Sequence, residues 1–152
     1  MRRNEIFRFI LPAVAALSFT GNAAAERSNP YVIMAQSAWS AFQCSVLAEK
    51  ANNMAEQKRL FQYGYAQGQK FIAALESGSA KKDDVPGAAP FGMLLLVRGP
   101  TPDFALGRVF EAALRAALED VFASGDAYAS ESMQESAATR EFWKRNCSLI
   151  GT

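Results

Sequence analysis

The chain has no histidine. That absence excludes Ser-His-Asp and Cys-His nucleophile systems, histidine general bases, and histidine-ligated zinc, iron or haem. Cysteine is scarce, with 2 in 152 residues, and the two stand in no C-x-x-C or C-x-x-C-H spacing. Redox dithiols and c-type haem attachment are therefore not expected. No G-x-x-x-x-G-K-[ST] loop, G-x-S-x-G elbow or EF-hand loop occurs. An excess of one charge sign is missing too, with 16 basic residues against 15 acidic ones. Such a balance gives no electrostatic footprint for nucleic acid or an anionic membrane surface. After the first 25 residues, no apolar run approaches the roughly 18 residues of a membrane-spanning helix. No cofactor, no metal and no stable membrane span are expected.

What is present is an ordinary globular mix, 50% apolar and 20% charged, of a length that suits one domain. Residues 1–25 read as a cleaved secretory signal peptide. Arg2, Arg3 and Arg8 make a basic start, Phe9 to Phe19 an apolar core, and Ala23-Ala24-Ala25 the small residues that a signal peptidase needs. Cleavage is expected after Ala25, leaving residues 26–152 as a single helical domain in the periplasm or outside the cell. In such an oxidising place the even pair Cys44 and Cys147 reads as a disulfide. Closing so long a loop stabilises a fold by about 4–5 kcal/mol in the chain-entropy model.

The mature segment reads as helices throughout. A first helix is expected from about Pro30 to Asn52, capped by Asn29, with Tyr31, Ala35, Ala38, Trp39, Phe42 and Val46 on one face. Cys44, Leu47 and Ala51 lie on another side, so this helix should be central. A second runs from about Met54 to Glu76, with Asn53 and Glu56 in capping-box spacing and Gly78 as a stop. Residues 77–90 are a loop by composition, and residues 91–97 favour a short helix. A further helix is expected from about Pro102 to Ser124, capped by Thr101 or Asp103. Its apolar face is read as Phe104, Gly107, Phe110, Leu114, Ala117, Leu118 and Val121. Gly125 would end it, and Asp126 would cap a last helix over about Ala127 to Asn146. That helix carries a narrow stripe of Ala129, Met133, Ala137, Trp143 and Cys147. The expected fold is all-α, a compact bundle of four long helices and one short one with one disulfide.

Gly64 and Gly68 interrupt the second helix, and each costs about 1 kcal/mol relative to alanine. Close approach of another backbone is the expected return. Tyr65-Ala66-x-Gly68-x-x-Phe71 parallels Phe104-Ala105-x-Gly107-x-x-Phe110 at an offset of 39 residues. One reading of that match is a close crossing of two helices at Gly68 and Gly107. Phe61, Tyr63 and Tyr65 read as core or rim aromatics rather than a recognition platform.

Glu111 falls within the apolar face assigned to its helix, and Arg140 between Met133 and Cys147 on the last one. A buried lone charge is expensive, so each needs a partner. The expectation is an internal polar cluster of Glu111 with Arg140, or with Arg108 and Arg115 at i−3 and i+4. Its structural reading is a pair that fixes helix register. Its functional reading is an arginine-lined pocket for a carboxylate or phosphate, or a carboxylate-based hydrolase. Glu49 is the other acid that can be placed near a core.

The leading functional expectation is a non-enzymatic secreted or periplasmic helical binding protein with a protein partner, of immunity, inhibitor or chaperone type. Gly64-Tyr65-Ala66-Gln67-Gly68 resembles the G-Y-x-x-G helix of small periplasmic immunity proteins against cell-wall amidases. The likeness covers those five residues, and the 77–90 loop has no cysteine to extend it. It implies a secreted toxin as the partner. A small-ligand binder or a hydrolase around Glu111 is the alternative.

Overall fold

A computed structural model describes residues 29–81, 90–122 and 130–152. The signal-peptide reading, the Gly125 stop and the Asp126 cap lie outside the described residues. The elements are α1 (Pro30–Lys50), α2 (Met54–Glu76), α3 (Phe91–Leu96), α4 (Pro102–Phe122), α5 (Glu131–Lys144) and a closing 3-10 turn at Cys147–Leu149, with no strand among the described residues. The expected all-α bundle of four long helices and one short one is observed, and Cys44 is bonded to Cys147 with 5.5 Å between their Cα atoms.

The helix starts follow from local chemistry. The Asn29 side chain accepts from the Tyr31 amide, and Pro30 occupies the first helical position, where a missing N–H costs nothing. The Asn53 side chain accepts from the Glu56 amide at 3.2 Å. The Thr101 hydroxyl accepts from the Phe104 amide, so Thr101 rather than Asp103 caps α4.

The stops differ from expectation at two places, for one reason. α1 ends at Lys50 and α5 at Lys144. In each case an asparagine just beyond the end turns into the left-handed region, Asn52 at φ 58° and Asn146 at φ 54°. Asparagine tolerates that conformation better than other residues with a side chain. At Asn52 the Asn53 amide donates back to the Ala48 carbonyl and the Asn52 amide to that of Glu49. This closes a Schellman turn without glycine. Gly78, at φ 72°, ends α2 as expected.

α1 is the central helix. It buries Ala35, Ala38, Ala41, Phe42, Cys44, Ser45, Val46, Leu47 and Ala48, and it packs on α2, α4 and α5. The core forms two clusters along it. One gathers Ala35, Ala38, Phe42, Phe71, Ile72, Met93, Ala105, Leu106, Val109 and Ala113. The other gathers Cys44, Leu47, Ala48, Leu60, Ala117, Val121, Ala138, Phe142 and Cys147. Ser45 is fully buried, and its hydroxyl donates to the Gln57 carbonyl at 3.0 Å.

α4 and α5 present different faces from those read off the sequence. α4 buries Ala105, Leu106, Val109, Ala113, Ala117 and Val121, while Phe104 is 52% exposed. At about 100° per residue this face is rotated by roughly a quarter turn from the expected one. The expected face follows the large aromatics. The observed one follows an i, i+4 row of small side chains, which lets α4 lie close to α1. α5 buries Ala137, Ala138, Glu141 and Phe142, while Met133 and Trp143 are exposed.

Candidate functional site

The rotation of α4 leaves its aromatics at the edge of the core, and there they meet α2. A cavity of about 350 Å³ opens between the two helices, lined by Phe42, Phe61, Tyr65, Asp103, Leu106, Gly107 and Phe110. Its walls are rings in mutual contact. Phe110 meets Phe42 and Phe61 edge-on, each with 5.4 Å between centroids, and Phe61 stacks beside Tyr65 at 6.2 Å. Such offset and edge-to-face pairs hold the rings in place. Phe42 is buried beneath them, whereas Phe61 is partly exposed at the rim.

Glycines shape this groove in two ways. A Cβ on Gly64 would stand 2.9 Å from Phe42 Cδ1 and 3.1 Å from Ala41 Cβ, so α2 touches α1 there. A Cβ on Gly68 would meet the Leu106 side chain of α4. At both positions the neighbour is a side chain and not the backbone expected from the sequence, and Tyr65 lies between them on α2. At Gly107 no atom lies within 4 Å of where its Cβ would be, so the expected crossing of Gly68 on Gly107 is absent. Leu106 occupies the space beside Gly68, and Gly107 instead opens the groove to solvent. The 39-residue match is accordingly not a match in packing, since Ile72 is buried and its counterpart Glu111 is exposed.

The groove has one polar feature. The Tyr65 hydroxyl donates to Asp103 Oδ1 at 2.5 Å. That hydrogen bond holds the phenol above its usual range, with desolvation and the carboxylate's charge acting the same way and a Gln69 hydrogen bond acting against them.

The cluster expected around Glu111 does not form inside the protein. Glu111 lies on the solvent side of α4 with 54% of its side chain exposed, paired to Arg115 Nη2 at 3.0 Å. Arg108 is exposed and donates to the Arg98 carbonyl. Arg108, Glu111 and Arg115 do come together with Leu96 around a shallow surface cavity of about 310 Å³. Arg140 is exposed on α5, with no ion pair to Glu111. The physical reason is the phase of α4: a face centred on Ala113 puts Glu111 nearly opposite the core. Glu49 opens on a different cavity, of about 460 Å³, with Glu131 and Glu135. Glu49 and Glu111 therefore share no site.

The buried acid is Glu141, which pairs with Lys144 Nζ at 3.1 Å and lies 3.8 Å from Arg145 Nε. A second polar device is Arg59. It forms a two-pronged pair with Glu56, at 2.8 and 2.7 Å, and donates to the carbonyls of Ile150 and Cys147. Both went unread in the sequence. The E-x-x-K-R and E-x-x-R spacings were the available signals, and they are common on exposed helices. Among the described residues no three histidine, cysteine or acidic side chains gather as metal ligands. No described helix is long and apolar enough to cross a membrane. No family model, no curated protein and no solved structure matches the chain.

Proposed function

We propose that this chain is a non-enzymatic helical binding protein of an oxidising, extracytoplasmic compartment, and that its partner is a protein. The observation that carries the reading is the aromatic groove between α2 and α4. Protein partners are held mainly by a few anchors that enter well-packed, desolvated pockets. A cavity of about 350 Å³ walled by four aromatic rings is suited to one such anchor. The compartment is supported by the Cys44–Cys147 bond, which leaves no free cysteine, and by the basic, apolar and small-residue order of residues 1–25.

The chain itself is read as of immunity, inhibitor or chaperone type. The G-Y-x-x-G resemblance supports the immunity type, with a secreted toxin as the partner. The alternative around Glu111, a small-ligand binder or a hydrolase, has less behind it. Glu111 is open to solvent and neutralised by Arg115, and Glu49 faces another cavity. The test is affinity capture of the tagged, processed protein from an envelope extract of the organism that makes it, read by mass spectrometry. One stoichiometric protein partner is expected. A partnerless preparation would overturn the reading and direct the search to small ligands.

A further inference from the structure

We propose that the α2–α4 groove takes a basic apolar anchor: an aromatic or branched aliphatic side chain of the partner, with a lysine or arginine beside it facing Asp103. This rests on the reading of the chain as a protein-binding module and names what that module recognises.

Gly107 makes the groove available. Gly107 lies in the second turn of a 21-residue helix, and glycine inside a helix is the least favourable choice apart from proline. Gly64 and Gly68 have a packing reason, because a neighbouring side chain occupies the place of their Cβ. Gly107 has open space there and lines the cavity. A long side chain at that position, among the residues that line the cavity, would narrow its opening.

The charge of the occupant follows from the rim. Among the described residues Asp103 is the only charged one lining the groove, and it forms no ion pair with any of them. The Tyr65 hydrogen bond fixes the carboxylate in place and uses one of its acceptor sites, leaving others free. The ring faces of Phe61 and Tyr65 beside it also favour a cation. An acidic neighbour of the anchor would meet like charge at the same point. Both features select a positive group next to the apolar one.

The experiment is a titration of the ¹⁵N-labelled, processed protein with two probes of equal ring and opposite charge, N-acetyl-Phe-Lys-amide and N-acetyl-Phe-Glu-amide. The expected result is saturable shifts at the Phe61, Tyr65, Leu106, Gly107 and Phe110 amides. The lysine probe should bind on the order of fivefold tighter at low salt, the size of an exposed ion pair. Asp103→Asn keeps an acceptor for Tyr65 and should bring the two affinities together. Gly107→Leu should abolish both while the fold is retained. Equal binding of the two probes by the wild type, shifts elsewhere in the protein, or no saturable shift overturns the proposal. Partner capture that survives Gly107→Leu would remove the groove from the account and leave a protein partner standing.

Discussion

At one end of α1, Cys44, Leu47, Ala48, Leu60, Ala117, Ala138 and Phe142 pack around a disulfide. Arg59 of α2 reaches across to the carbonyls of Cys147 and Ile150, and Ser45 is tied to the Gln57 carbonyl. At the other end, Phe42, Phe71, Met93 and Leu106 pack without a disulfide, and the ties there are exposed hydrogen bonds, Tyr65 to Asp103 and Arg108 to the Arg98 carbonyl. Aromatic rings there reach the surface and border a cavity. The two ends solve different problems. The first is cross-linked at the carboxy-terminal segment, which a single 3-10 turn would hold poorly. The second keeps an opening that a stability-optimised core would fill. Fixing one end of a small bundle leaves the other able to keep an opening, at a cost in the packing that would otherwise fill it.

Breaking the tied end should have the largest effect. Replacing Cys44 and Cys147 together by alanine should cost about 4–5 kcal/mol, the chain-entropy figure for a loop of this length. Urea unfolding of the reduced or substituted protein measures it. Probe binding at the groove should survive wherever the protein is still folded.

Arg59→Leu is next, at about 1.5–3 kcal/mol, the range for hydrogen bonds to a charged group. It also removes the partner that lowers the Glu56 carboxyl. That lowering comes chiefly from the Arg59 hydrogen bond, with burial opposing it and the guanidinium charge adding to it. The folded value lies below the ordinary 4.5. The associated stability is therefore complete above the unfolded carboxyl range and is lost as the pH falls through the lowered folded value. Urea midpoints followed from pH 6 downward should drop more steeply in the wild type than in Glu56→Gln.

A pair of glycine substitutions sharpens the contrast. Gly64→Ala drives a methyl into Phe42 and Ala41, and overpacking of this type costs about 1–3 kcal/mol, offset in part by helix propensity. Gly107→Ala meets nothing and should stabilise by up to about 1 kcal/mol. Thermal unfolding should show the two melting temperatures moving in opposite directions. The smallest effect is expected at Glu111→Ala, within about 0.5 kcal/mol, because its ion pair with Arg115 is exposed. A larger loss would restore the polar cluster to importance.

Much of the fold was legible in the sequence. Asn29, Pro30, Asn53 and Gly78 mark helix ends by chemistry that acts within one turn, and α2 occupies the expected Met54–Glu76. The ends at Asn52 and Asn146 were read as helix because asparagine signals a left-handed turn less clearly than glycine. The site was legible only in parts. The sequence reads Phe61 and Tyr65 as core or rim aromatics in preference to a recognition platform, whereas both line the groove proposed as the binding face. The groove itself depends on the phase of α4, and phase was assigned from the largest apolar side chains. Helices that lie close bury alanine rows such as Ala105, Ala113 and Ala117. A row of that sort carries little hydrophobic signal, so the sequence pattern draws Glu111 inward and puts Phe104 and Gly107 on the core face, whereas all three are exposed.

We propose the α2–α4 groove as the binding face, kept open by Gly107. The most direct measurement is partner capture from the native envelope extract with wild type and Gly107→Leu in parallel, alongside their melting curves. One stoichiometric protein is expected with the wild type and its loss with Gly107→Leu, although the variant melts at or above the wild-type temperature. Equal recovery by both proteins would contradict it.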